Sequence, residues 1–388
     1  MDPLDPAGLA RLHDVAVSHL GPEAVLGMVV GVERDGQVHV EALGTLSIDG
    51  APVRRDSLFR IASITKPITG AATLALVDEG LFSLDDTVDG WLPELAEPRV
   101  LRRMDGPLDD TVAARRAITV RDLLTFTFGF GMAVEMFAAA EPWPVVEAVT
   151  ALRLASLGPT SPTALPDPDE WIAAFGSLPL MCQPGERWLY NTGAQVLGVL
   201  AARAADASFP EVLRTRIFDP LGMTGTSFWT PETDRVATAY AAPDGALQVT
   251  DPPDGEWSRP PKFPDGAAGL LSTADDLLSF SRMFLRGGEP VLSPASVAEM
   301  TRGQVSAAQR GGADAFLGGW SWGLCQAVTV SGHHVGAFGW NGGFGTSWLV
   351  DPSARLAVVV LTQRQFETAQ PPAVHREIQA AAYGALTP

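Results

Sequence analysis

Lysine, cysteine and tyrosine are scarce in this 388-residue chain, and each scarcity narrows what the protein can be. Lys66 and Lys262 are the two lysines among 27 basic residues, the rest being arginine, and no basic cluster interrupts a formal charge of −18. A surface of that sign repels a phosphate backbone, which argues against a nucleic-acid partner. No run of eighteen apolar residues exists, so no membrane span is expected, and the acidity argues against docking on an anionic membrane. Cys182 and Cys325 stand far apart without C-x-x-C spacing, which rules out a cysteine-rich zinc module or disulfide scaffold and leaves two ordinary thiols. The opening Met1-Asp2-Pro3-Leu4-Asp5-Pro6 lacks the positive segment of a secretory signal, so a cytoplasmic location is expected.

What is present is core-forming material: 46% of residues are apolar and 19% charged, enough to fold most of the chain. Leu9, Leu12, Val15, Ala16 and Leu20 lie at helical spacing within 7–20. An apolar run from Val25 to Val32 turns at Asp35-Gly36 into Val38–Leu43, a hairpin pattern. The other end mirrors it, with strands at Thr346–Val350 and Leu356–Leu361 around the turn 351–354 and a closing helix over 371–384. Between them, about 64–290 reads as helical, punctuated by proline-rich loops at Pro159–Pro168 and Pro252–Pro264. The pattern predicts an α+β fold: one antiparallel sheet supplied by both chain ends, terminal helices on its face, and an inserted, mostly helical region. The whole of 1–388 is expected to be one two-lobed unit, an α/β lobe of about 1–62 and 290–388 and a helical lobe of about 63–289, with the cleft at their seam.

Chemistry concentrates in three segments. The first is Leu58-Phe59-Arg60-Ile61-Ala62-Ser63-Ile64-Thr65-Lys66-Pro67, entering a helix that continues to Gly80. Residues three apart on a helix share a face, so Ser63 and Lys66 can be neighbours. A serine hydroxyl needs a base, and a lysine desolvated near a helix N-terminus loses its proton more readily. Arginine cannot play that part, so the isolated Lys66 stands out in an arginine-using chain. The second segment is Gln183–Gly193, holding Tyr190 ahead of a helical run from Ala194 to Ala205. A phenol beside an ammonium has its anionic form favoured and can relay a proton. The third is the glycine-rich Gly336–Thr346, where a backbone N–H can approach a ligand closely and donate to an oxyanion; a tight inter-strand turn is the plainer reading.

Together these pieces resemble the serine β-lactamase and penicillin-binding-protein superfamily, in the class C-like branch that includes the family VIII carboxylesterases, D-aminopeptidases and acyltransferases. The matching strings are Phe59–Pro67, Ile118–Thr125, Tyr190-Asn191-Thr192, Pro220–Thr224, Gly269–Leu277 and Trp340–Thr346, in the family order. The resemblance implies the β-lactamase/transpeptidase fold, an acyl-enzyme on Ser63, and general acid and base duty shared by Lys66 and Tyr190. It also implies an oxyanion hole from the N–H groups of Ser63 and Gly343, and no cofactor. Thr192 replaces the asparagine usual at the third position of the tyrosine motif. Trp340-Asn341-Gly342, or in a neighbouring frame Ala337-Phe338-Gly339, replaces Lys-Thr-Gly and so lacks the cation that meets a β-lactam carboxylate.

The expected activity is therefore carboxylester hydrolysis or acyl transfer on small to medium acyl groups of a small-molecule ester or amide. Thr192, Trp340, Asn341, Gly342 and Phe128 are the candidate substrate contacts. A β-lactamase, D,D-peptidase or D-aminopeptidase is the enzymatic alternative, and a catalytically silent binding protein the alternative of another class. A histidine triad lacks a Gly-x-Ser-x-Gly elbow, and the adjacent His333 and His334, read as lying near a strand, would point to opposite faces. No His-Glu-x-x-His string or comparable cluster suggests a metal.

Overall fold

The computed structural model describes residues 4–154 and 162–386. Its centre is a seven-stranded antiparallel sheet. Across it run Gln37–Gly44, Gly27–Arg34, Leu356–Thr362, Thr346–Asp351, Phe338–Gly342, Ala327–Val328 and Ser321–Trp322. The middle strands are covered on both faces, which is why Leu356–Thr362 reads as an unbroken apolar run instead of alternating with polar residues. Pairing between Gly27–Arg34 and Leu356–Thr362 places Val30 opposite Val360, joining the two ends of the chain.

Side-chain alternation then divides the core. Val30, Val32, Val358 and Val360 pack with Leu12, Ala16, Ile378 and Ala382 of the terminal helices Pro6–Ser18 and Ala373–Tyr383. Asp5 starts the first of these by accepting from the N–H groups of Ala7 and Gly8. Gly8 is required where the two helices cross, because a Cβ there would meet the Ala385 Cα at 2.4 Å. The opposite sheet face, carrying Val29, Trp348, Val359 and Leu361, packs on the larger core of the helical region.

The expected α+β architecture is present, with the terminal helices and sheet ordered as the sequence indicates. Two helices on either side of residue 290 find different partners. Helix Ala274–Leu285 packs on the sheet, where Ser281 Oγ accepts from the Trp348 indole at 2.7 Å, whereas helix Pro294–Thr301 packs on Thr65–Asp78. Local patterning cannot tell which neighbour a helix will cover. The glycine-rich segment is more than a turn: Phe338–Gly342 is itself a strand, hairpinned onto Thr346–Asp351. His333 and His334 lie in the exposed turn before it, not near a strand's two faces; His334 stacks on Tyr383 at 3.8 Å and meets Asp351. The loop Pro252–Pro264 is irregular apart from a turn at Glu256–Ser258 that buries Trp257. The loop Pro159–Pro168 lies partly outside the described residues. Among the described residues no helix is long and apolar enough to cross a membrane, and no cluster of three or more His, Cys, Asp or Glu could hold a metal.

Candidate active site

Ser63 sits in a single tight turn, Ala62–Ile64, between the short strand Phe59–Arg60 and helix Thr65–Asp78. Ala62 takes the left-handed conformation, φ 44°, an unfavourable state for a residue with a side chain, and the chain bends sharply there. The bend leaves Ser63 half-buried at the mouth of the helix, with Lys66 in the first helical turn directly behind it.

Lys66 is fully buried, and its Nζ donates to Ser63 Oγ at 2.9 Å and to the Ala267 carbonyl at 2.8 Å. The amine also lies 4.6 Å from the centre of the Tyr190 ring. Burial favours the uncharged form and pulls this lysine down to about 7, against opposing pulls from Asp265 and Cys325. Near neutral pH the side chain is therefore divided between ammonium and free amine.

Tyr190 precedes helix Thr192–Ala204. Asn191, at φ 85° and ψ −63°, makes the abrupt change of direction between them. The Tyr190 hydroxyl bonds to Ser63 and accepts from the Trp340 indole N–H at 2.7 Å. Burial raises this phenol to about 12, outweighing the lowering effect of those two hydrogen bonds. The expectation that a neighbouring ammonium would favour the phenolate is corrected here: in the resting arrangement Tyr190 is a neutral phenol. Phe126, Trp188, Phe316, Trp322 and Trp340 surround its ring at centroid distances of 5.1–6.3 Å.

The hairpin after Trp340 is fastened to the nucleophile turn. Thr346 Oγ1 donates to the Ile61 carbonyl, and a Cβ on Gly342 would strike that same oxygen at 2.2 Å. Gly342 is thus a packing requirement between hairpin and turn. Gly343, next along, has open space where a side chain would stand. A profile of the Beta-lactamase family matches residues 16–383, nearly the whole of this frame.

This chain belongs to the beta-lactamase family. Protein Rv1367c of Mycobacterium tuberculosis is 37% identical to it over 352 residues, covering 85% of this chain and 84% of that protein. Esterase EstB of Burkholderia gladioli is 30% identical over 391 residues, covering 94% and 93%. Among solved structures, EstCE1, described as a hydrolase with promiscuous acyltransferase activity, superposes with a TM-score of 0.81 at 25% identity, covering 97% of this chain and 99% of that one.

Within the beta-lactamase frame, the structure brings Ser63, Lys66, Tyr190 and Trp340 together and sets other candidates apart. Asn341 pairs with Ser347, whose Oγ meets His375 of the closing helix, so Asn341 lies on the sheet face opposite Trp340. Phe128 is fully buried against Phe175 in the helical core. Its neighbour Phe130 instead lines a small apolar cavity of about 30 Å³ with Met132, Met136, Met181, Asn191 and Thr192. Sequence reasoning also passed over Asp265, Gly266 and Ala267. The only signal for them was their position just ahead of the matching Gly269–Leu277 string.

Proposed function

We propose that the protein is a serine hydrolase that forms an acyl-enzyme on Ser63, acting as a carboxylesterase or acyltransferase on small to medium uncharged acyl esters. The observation that carries this reading is the Ser63 hydroxyl shared between an amine held near neutral pH and a neutral phenol.

In the free-base form Lys66 accepts the Ser63 proton while its own N–H remains on the Ala267 carbonyl. Oγ then bonds to the ester carbonyl carbon, and the oxyanion is received by the N–H groups of Ser63 and Gly343 at the open hairpin turn. As the carbon–oxygen bond to the leaving group breaks, Tyr190 gives its proton to the departing alkoxide. The resulting phenolate is stabilised by the Lys66 ammonium over its ring and by the Trp340 N–H. Deacylation reverses the roles: the phenolate takes a proton from water or an alcohol, the new oxygen attacks the acyl carbon, and Lys66 returns its proton to Ser63. The apolar cavity beside Thr192, about 30 Å³, has room for no more than the methyl-sized end of an uncharged acyl group. Homology to EstB and likeness to EstCE1 support the same chemistry.

The test is intact-protein mass after exposure to a fluorophosphonate, with p-nitrophenyl acetate turnover alongside. One adduct on Ser63, and loss of both adduct and turnover in Ser63→Ala, is the expected outcome. Undiminished turnover in Ser63→Ala overturns the proposal, and cleavage of a chromogenic cephalosporin at rates rivalling the ester favours the β-lactamase alternative.

A further inference from the structure

The turn Asp265–Leu270 ties itself to the nucleophile helix at three successive points. Lys66 Nζ donates to the Ala267 carbonyl, Thr69 Oγ1 donates to the Gly266 carbonyl at 2.7 Å, and the Leu270 N–H donates to Thr65 Oγ1 at 3.2 Å. Asp265 shapes this turn. Its Oδ1 accepts from the Ala267 N–H at 2.7 Å, its carbonyl accepts from the Gly269 N–H at 2.9 Å, and its Oδ2 faces the Gln195 amide at 3.4 Å. Gly266 is pressed so closely on the next helix that a Cβ would meet the Ala194 carbonyl at 2.5 Å. A carboxylate buried this deeply, at 2% exposure, is costly unless its charge is used.

We propose that Asp265 is a positioning residue for Lys66: its carboxylate holds the turn that receives the amine and supplies a buried negative charge that acts on it. The inference rests on the reading of Lys66 as the base. The titratable groups acting on that amine are Asp265 from the turn, Cys325 from the segment between Ser321–Trp322 and Ala327–Val328, and the Tyr190 phenol against which it lies. Burial pushes the Cys325 thiol far up, so it is neutral at working pH. Asp265 is then the group that opposes burial and keeps Lys66 able to hold a proton part of the time. Without its charge the ammonium is less stable and the free base forms at lower pH.

Two lysines make a direct test practicable. Labelling lysine with ¹³C at Cε gives two resonances to follow, and Lys262→Arg assigns them. In the native protein the Lys66 signal is expected to titrate near 7. Asp265→Asn keeps an acceptor for the Ala267 N–H but removes the charge. The expected result is a midpoint lower by about one unit, with the acid limb of kcat/KM for p-nitrophenyl acetate moving with it. Asp265→Ala should shift the midpoint equally and lower the plateau a further ~10-fold, because the turn is also released. An unmoved midpoint in both variants overturns the proposal. A shifted midpoint with an unmoved acid limb supports the Asp265 contact while overturning Lys66 as the base. Should neither variant fold, Asp265→Glu decides: charge is kept and the turn displaced, so titration stays near 7 and the plateau drops at least ~5-fold. An undiminished plateau there overturns the proposal.

Discussion

Arg60 and Lys66 are two buried cations on either side of Ser63, and they meet opposite fates. Arg60 is met by the Asp251 carboxylate, the Ala237 and Pro252 carbonyls and the face of Trp257. Burial lowers its pKa, but from so high an ordinary value that the guanidinium keeps its charge. Lys66 is met by a hydroxyl, a carbonyl oxygen and a ring face, with Asp265 acting on it through its charge. Its ammonium is only marginally held. The contrast shows that burial alone does not discharge a cation; the partners and the choice of side chain do. One cation anchors the strand that delivers Ser63, and the other, in the proposed mechanism, exchanges its proton with it.

The largest expected effect breaks that contrast by making the second site resemble the first. Lys66→Arg should lower kcat/KM on p-nitrophenyl acetate by about 10³-fold or more, with no recovery as pH is raised to 10, since a guanidinium cannot serve as a base there. Turnover that survives would show that charge exchange at this position is unnecessary. Conversely, Arg60→Met leaves Asp251 buried without its cation. It should cost about 3–5 kcal/mol in urea unfolding, and the double variant Arg60→Met/Asp251→Leu should recover more than half of it. A single variant as stable as native would mean the pair does not anchor the strand.

A third measurement addresses the phenol. Tyr190→Phe should reduce kcat by about 10²-fold, and Trp340→Phe by about tenfold, because the first removes the proposed proton donor and the second only an N–H bound to its oxygen. The reverse order of effects would shift the acid role away from Tyr190.

The smallest effect is on stability. Lys66 has a folded pKa depressed from 10.5 to about 7. The unfolded chain therefore binds more protons between those values, and stability rises with pH through that window. The destabilising effect of burying this group is fully present below about 7 and fades toward 10.5. Lys66→Met should accordingly raise Tm more at pH 6 than at pH 10, and a gain independent of pH would contradict the depressed value.

Much of this arrangement is legible in the chain. The scarcity of lysine and tyrosine, with Ser63 three residues ahead of Lys66 at a helix start, singles out three groups that the fold brings together. The edges of both terminal hairpins follow from apolar patterning and turn residues. Other features are not legible because they depend on burial or on distant partners. Phe128 and Phe130 look equivalent in the string Phe126–Phe130, yet one faces the helical core and the other the cavity beside Thr192. Trp340 and Asn341 are adjacent, and only the register of the strand decides which one reaches Tyr190. The Tyr190 phenol is raised rather than lowered because desolvation, which no local string records, exceeds the effect of its neighbours.

The amino-acid sequence alone determined which residues could do acid–base chemistry, because that depends on side-chain type and on spacing within one helical turn. It determined equally that both chain ends would form strands and the middle helices, since periodicity is local. Only the tertiary structure decided that Ala267, 201 residues from Lys66, would receive its amine, that Trp340 would hold the phenol, and that Asp265 would lie within range of the charge. Proton affinities are set by dielectric surroundings and by charges brought close through folding, and neither exists until the chain has closed around Ser63.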